Sequence, residues 1–270
     1  MTAVNNINAE MMTWPEYEAR IKSGCTVFLP VGAHEQHGPH LPLATDAIFA
    51  QEIAERVAVN VNGIVLPVVR YGYKSQARSG GGQTFNGTIS LDGATLTNQV
   101  LDILRELARH GASRCVVVNG HYENQWFLTE AIELLQRELK LMQQNMTVLR
   151  TEYWDHTPQS VYDDIFASDS TGEFPSEFPS EFPGVDLEHA ALIETSMMLY
   201  LHPEYVKKDL IPDHELASFP AYDSYPQTGD HVPADGVLAP AGTASTDKGR
   251  LIVETICTEM TKALKQAFPF

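Results

Sequence analysis

Cys25-Thr26-Val27-Phe28-Leu29-Pro30-Val31, closed by Gly32 and followed by a polar, histidine-rich run to Thr45, sets the reading of the whole chain. A short apolar run stopping at glycine predicts a buried strand, and the polar run behind it predicts a loop. Thr45 then caps a helix to about Val59. The same alternation recurs downstream as strand Ile64 to Val69, a Gly-rich loop, helix Thr95 to His110 ended by Gly111, strand Arg114 to Asn119, helix Gln125 to Lys140 and strand Met146 to Thr151. Upstream, Thr13 and Glu16 have capping-box spacing with Pro15 in the first turn, which predicts a helix from Trp14 to Lys22. Apolar strands alternating with amphipathic helices predict a three-layer α/β/α fold around a central, mostly parallel sheet. In such sheets ligands bind at the carboxyl ends of the strands.

Beyond Glu152 the alternation stops. A Pro- and Asp-rich stretch leads into three consecutive Glu-Phe-Pro copies between Glu173 and Pro183, too short for a structural repeat and read as a locally duplicated loop. A helix from Glu188 to Leu201, a loop region to Ser245 and an amphipathic helix from Asp247 to Phe268 complete the pattern. No linker divides it, so residues 1–270 read as one domain with a loop insertion at about 156–184.

Composition narrows the function classes. The 270 residues carry 18 Lys and Arg against 35 Asp and Glu, a formal charge of −17 that would repel nucleic acid and anionic lipid. No apolar run approaches the length needed to span a bilayer, and the N-terminus lacks the basic and apolar regions of an export signal. Cys25, Cys115 and Cys257 are few and set mostly in apolar stretches, as reduced core thiols are. These features predict a soluble, cytoplasmic protein with no nucleic-acid or membrane partner.

The chemistry is concentrated at two predicted strand ends. After the first strand come Glu35 and His37, two apart and therefore able to face one site in extended chain, with Asp46 at the start of the next helix. The third strand runs into Asn119-Gly120-His121-Tyr122-Glu123-Asn124, again an imidazole and a carboxylate two apart. Two histidines, two glutamates and an aspartate suffice for two divalent ions if one carboxylate bridges them. A single loop histidine is more often a solvated or capping residue, and that reading is kept for His34, His40, His110, His156, His202, His214 and His231. For Glu35, His37, Asp46, His121 and Glu123 the repeated spacing favours ligation. No Gly-x-Ser-x-Gly elbow, dinucleotide fingerprint or P-loop is present.

Gly32-Ala33-His34-Glu35-Gln36-His37-Gly38 with Asp46, and Asn119 to Asn124, resemble the two metal motifs of the creatininase family, the creatinine amidohydrolases. The resemblance runs from Trp14 onward. It is closest from Tyr71 to Ser75, through Ser79-Gly80-Gly81-Gly82, to Thr88-Ile89-Ser90-Leu91-Asp92-Gly93-Ala94-Thr95. It implies a creatininase-like fold and two divalent ions per subunit, zinc and/or manganese. Glu35, Asp46 and His121 would hold one, and His37, Asp46 and Glu123 the other. It further implies that a hydroxide bound by this pair opens the cyclic amide of creatinine to creatine. Ser79, Gly80 and Gly81 would line the substrate pocket, with Tyr122 and Trp154 as aromatic walls. Asp186-Leu187-Glu188-His189 resembles the family's Asp-x-Glu-His motif, which implies substrate contact by Asp186, a proton donor in His189, an orienting role for Glu188, and Glu123 as base. A homohexamer is also implied, with Trp126 and the tail from Phe268 to Phe270 as candidate contacts.

One residue departs from this pattern. The family has a tryptophan just before Asp-x-Glu-His, whereas this chain has Val185, preceded by the longer Glu-Phe-Pro loop; Phe174, Phe178 or Phe182 is a candidate replacement. Two alternatives to creatinine hydrolysis therefore stay open: a related hydrolase of another small amide, formamide or cyclic carbonyl compound, and a catalytically silent metal-binding scaffold.

Overall fold

In the computed structural model, which describes residues 6–167 and 182–268, four strands form one sheet. They are β1 (Thr26–Val31), β2 (Gly63–Val65), β3 (Arg114–Asn119) and β4 (Thr147–Glu152), arranged β2-β1-β3-β4 with every pairing parallel. The helices are α1 (Trp14–Lys22), α2 (Thr45–Ala58), the single turn α3 (Ala77–Gly80), α4 (Gly93–Arg109), α5 (Gln125–Met142), α6 (Gln159–Ala167), α7 (Leu192–Leu201) and α8 (Thr246–Ala267). From β1 the chain moves outward to β2, then returns past β1 to β3. Neighbouring strands β1 and β3 thus send their crossovers in opposite directions, the topology that opens a crevice above the strand ends. Register places Val31 opposite Asn119, so the loops leaving these two residues start side by side.

Pleating splits the strands between two cores. Phe28, Val116 and Val118 face one side, where buried residues of α2, α7 and α8 such as Phe49, Ile53, Met197, Ile252 and Ile256 cover them. Val27, Leu29, Val31, Cys115 and Val117 face the other, against Ile21 of α1, Leu96, Val100 and Leu104 of α4, and Leu128 and Leu135 of α5. Helices therefore pack on both faces of the sheet, as the alternation predicted. The three cysteines are free, with Cys25 and Cys115 buried. Among the described residues no helix is long and apolar enough to cross a membrane.

Several expected boundaries shift for local reasons. β2 ends at Val65 because Pro67 has no N–H for the ladder, and Val69 makes only an isolated bridge to Val31. Thr45 is the first residue of α2 and not its cap; its hydroxyl donates to the Pro42 carbonyl at 2.7 Å. α4 starts at Gly93, behind Asp92. Part of the expected insertion is helical, since residues Gln159–Ala167 form α6. The expected helix from Glu188 starts only at Leu192, because Ala190 adopts φ of 56°, which a right-handed helix cannot include. Glu188 and His189 consequently lie in the turn before the helix. Most of the Glu-Phe-Pro segment, including Phe174 and Phe178, lies outside the described residues, as do Pro269 and Phe270.

The crossing of α7 and α8 depends on one glycine. A Cβ at Gly249 of α8 would lie 1.8 Å from the Ser196 carbonyl oxygen in α7, a contact with backbone that no side-chain rotation relieves. Gly249→Ala is expected to destabilise the fold by about 1–3 kcal/mol, read as a lower denaturant midpoint at unchanged slope.

Candidate active site

The loops after β1 and β3 close over the sheet's carboxyl edge, and their backbones are tied before any functional side chain is placed. Asn119 donates to the His121 carbonyl at 2.8 Å and accepts from the His121 N–H at 3.2 Å. Asn124 donates to the Gly32 carbonyl at 3.0 Å and to Asn119 Oδ1 at 3.2 Å, and accepts from the Tyr73 N–H at 2.8 Å. Both asparagines are fully buried, so each lost bond would strand a polar group away from water.

Within this frame Glu35, His37, Asp46 and His121 come together, all nearly inaccessible to solvent. Each histidine is aimed by a backbone carbonyl. His37 donates from Nδ1 to the Glu35 carbonyl at 3.1 Å, and His121 donates from Nε2 to the Tyr73 carbonyl at 3.0 Å. The opposite ring nitrogens face carboxylates. His37 Nε2 lies 3.0 Å from Asp46 Oδ1, while His121 Nδ1 lies 3.0 Å from Asp46 Oδ2 and 3.1 Å from Glu35 Oε2. The two oxygens of Asp46 therefore serve two different imidazoles. A carbonyl behind a histidine, fixing which nitrogen points forward, is the usual support of a metal ligand.

Charge in this space is unbalanced. Burial pushes Glu35 up to about 7 against the pull of His121, and pushes Glu194 up to about 7 against the pull of His37. Asp46 is also penalised by burial, yet His37 and His121 hold it well below the usual carboxylate range. For His37 burial opposes charge, but Asp46 and Glu194 outweigh it and raise the ring to about 10. Glu35 Oε1, His37 Nε2 and Asp46 Oδ2 are buried without a hydrogen-bond partner. Three such atoms converging among carboxylates and imidazoles are the donor set that zinc or manganese satisfies, so the residues present fit divalent cations. Two groups of mutually close ligand atoms share Asp46: Glu35, Asp46 and His121 in one, and His37, Asp46 and Glu194 in the other.

Glu194 was missed by sequence reasoning. It sits in the first turn of α7 with Oε2 at 3.7 Å from His37 Nε2, and that oxygen also accepts the Ala190 N–H at 2.6 Å. An acidic residue in a first turn reads as a partner of the helix dipole. Only its place five residues after the Asp-x-Glu-His motif could have marked it. Glu123, expected beside His37 and Asp46, is held differently. Its Oε1 accepts from the Ser79 hydroxyl at 2.7 Å and the Gln76 N–H at 2.9 Å, and its Oε2 lies 3.3 Å from His121 Nε2, the nitrogen facing away from Asp46.

A cavity of about 50 Å³ opens onto this cluster. Ser79, Tyr122, Glu123, Trp154, Glu188 and His189 line it, with Tyr162, Phe182 and Val185 on the outer wall. The rings of Tyr122 and Trp154 stack at 6.4 Å, and Phe182 lies parallel to Tyr162 at 4.1 Å. Glu188 accepts the Ile193 N–H through Oε2 at 3.0 Å, leaves Oε1 buried without a partner, and is pushed up to about 8 by burial. His189 stacks on His37 at 4.4 Å, and burial, reinforced by the His37 charge, holds it well below the usual imidazole range. Three expected substrate contacts lie off the cavity wall. Asp186 is exposed, and Gly80 and Gly81 pass behind Glu35 and Gln36, where a Cβ on Gly80 would lie 2.1 Å from Glu35 Oε1.

Residues 10–264 match the family model described as Creatininase: Creatinine amidohydrolase. The chain is 45% identical over 265 residues to a creatinine amidohydrolase of Pseudomonas putida, covering 96% of each chain. It is 28% identical over 251 residues to a mycofactocin precursor peptide peptidase of Mycobacterium tuberculosis, covering 90% of this chain and 86% of that one. A crystal structure of creatinine amidohydrolase superposes with a TM-score of 0.91 at 43% identity, over 98% of this chain and 99% of that chain. Solved creatininases include a manganese form, a mutant in a Zn-Zn form and a mutant complexed with creatine. Sheet order, the paired strand-end loops and these likenesses agree: the chain belongs to the creatininase family and is an amidohydrolase acting on C–N bonds.

Proposed function

We propose that this enzyme opens the cyclic amide of creatinine to give creatine, using two divalent ions, zinc or manganese, in one subunit. The observation that carries the reading is Asp46, whose two oxygens each meet a different forward-facing imidazole. Glu35, Asp46 and His121 would hold one ion, and His37, Asp46 and Glu194 the other. Bound there, such ions would polarise the amide carbonyl and lower the pKa of a bound water.

The side chains around the cavity then have distinct tasks. Tyr122 and Trp154 present flat faces that suit a planar five-membered ring. Glu123, oriented by Ser79 and the Gln76 N–H, is the carboxylate placed to take the proton of the attacking water. The water oxygen joins the carbonyl carbon, the ring C–N bond breaks, and the water proton passes from Glu123 to the departing nitrogen. His189, on the cavity wall, supplies the hydrogen bond that steadies that nitrogen. Glu188 offers its unpartnered Oε1 to an N–H on the substrate.

The outer wall favours a second reading of substrate over a second reading of chemistry. Val185 and Phe182 both line the cavity, Phe182 coming from the end of the inserted segment with its ring parallel to that of Tyr162. A bulkier or differently shaped small amide would be selected there. Relatives named as a peptide peptidase and as a 3-dehydro-scyllo-inosose hydrolase support such latitude. The buried free thiols fit a cytoplasmic setting, and exposed Trp14 and Trp126 fit self-association.

Three outcomes are expected. Purified protein forms creatine from creatinine, loses the activity after chelation and regains it with zinc or manganese, with about two equivalents bound at full activity by metal analysis; a metal-loaded, folded protein that turns over another amide and not creatinine would move the assignment to that substrate. Glu123→Gln lowers kcat on the order of 100-fold or more with far-ultraviolet circular dichroism unchanged; undiminished turnover would remove Glu123 from the mechanism and favour a different proton acceptor. Phe182→Ala raises KM for creatinine by about two- to tenfold in steady-state assays, because the loss of the aromatic wall weakens ring binding.

A further inference from the structure

Gln36 lies between the two metal-motif residues Glu35 and His37, and its side chain is buried at 5% exposure. Its amide nitrogen lies 2.8 Å from the Gly236 carbonyl oxygen, 3.1 Å from the Gly80 carbonyl oxygen and 2.8 Å from His189 Nε2. Its Oε1 accepts the Gly38 N–H at 2.9 Å. The seat is built for this side chain. A Cβ at Gly236, where φ is 81°, would lie 2.2 Å from Gln36 Oε1, and a Cβ at Gly81 would lie 2.8 Å from Nε2.

These contacts fix the polarity of the pair. Two carbonyl acceptors on one side and an N–H donor on the other leave a single orientation for the amide, with Nε2 towards His189. An amide nitrogen carries no lone pair for accepting a hydrogen bond. The amide has two hydrogens for three acceptors: one is shared by the Gly80 and Gly236 carbonyls and the other is directed at His189 Nε2, which accepts it at 2.8 Å, so the hydrogen of the ring sits on Nδ1.

We propose that Gln36 is a positioning residue for the reaction: its amide clamps the His189 ring with Nε2 as acceptor, so that the hydrogen His189 offers the substrate is the one on Nδ1. His189 then steadies the departing nitrogen by a hydrogen bond and does not relay a proton through Nε2, which the clamp occupies. This differs from the sequence expectation of His189 as proton donor and leaves Glu123 as the carrier of the water proton. The same amide ties the Gly-rich turn at Gly80 to the turn at Gly236, so one side chain sets the ring and two of the segments around it. The inference rests on the role given to His189 above.

The test pairs kinetics with a substrate-free measurement on the zinc-loaded full chain. In protein labelled with 15N-histidine, long-range imidazole proton–nitrogen correlations should show His189, identified by the signals lost in His189→Asn, as the Nδ1–H tautomer. Gln36→Met, which keeps the volume and removes the donor, should lose that signature. It should lower kcat about 10- to 100-fold while KM changes less than about threefold and zinc content stays the same. Gln36→Glu, which keeps the acceptor for Gly38 and removes the donor, should behave likewise. An Nε2–H tautomer in the unsubstituted protein overturns the proposal, as does an unchanged kcat in Gln36→Met. Should Gln36→Met not fold, the spectrum of the unsubstituted protein decides alone. The spectrum needs no substrate, so a protein inert on creatinine would overturn the proposed substrate while the tautomer still decides the placement of Gln36.

Discussion

The two oxygens of Asp46, held at 3.0 Å from His37 on one side and from His121 on the other, set the requirement that the rest of the site meets. A carboxylate buried at this depth is tolerable only with positive charge on it, and Glu35 and Glu194 add further negative charge to the same space. Protonated histidines could supply part of the balance. Yet each ring already spends one N–H on a backbone carbonyl, and His37 Nε2 and Asp46 Oδ2 remain without a hydrogen bond. Divalent cations answer the whole set at once. The surrounding fold serves this point: β1 delivers Glu35 and His37, α2 delivers Asp46 from its first turn, β3 delivers His121, and the start of α7 delivers Glu194.

The fold was legible because its signal is periodic. Strands buried on both faces read as continuous apolar runs, and α4, with Leu96, Val100, Leu104 and Leu107 on its buried face, carries a helical spacing that leaves little choice. Boundaries were less legible where a single residue overrode the pattern. Pro67 shortens β2, and the positive φ of Ala190 delays α7 by four residues relative to the sequence reading, from Glu188 to Leu192. That delay has a consequence for chemistry. It holds Glu188 and His189 in a turn against the cavity, whereas a continued helix would have spaced them around an axis.

The site was legible in proportion to how local its parts are. Glu35 with His37, and His121 with Glu123, are pairs within one strand end, so a spacing of two betrays them. Asp46 follows from the next helix start. Glu194 has no such mark, because it meets His37 only through the packing of α7 against the other layer, a contact that no short-range pattern encodes. Gln36 is hidden for a related reason: its amide joins residues 80, 189 and 236, which the chain brings together only after every layer is in place.

This division explains why reaction and substrate are known to different depths. The carboxylates and imidazoles proposed to hold ions come from strand ends and first turns. The walls that meet the rest of a substrate come from later, irregular chain: Trp154 after β4, Phe182 at the close of the inserted segment and Val185 in the turn before Glu188. Such segments can change length and side chain without disturbing Asp46 or the carbonyls behind His37 and His121. The relatives named for creatinine, a peptide precursor and an inosose derivative differ in what their names say they act on. In this chain Tyr162, Phe182 and Val185 all line the cavity. Selectivity should therefore be decided by how Phe182, Tyr162 and Trp154 line the cavity, while the chemistry belongs to the carboxylates and imidazoles at its base.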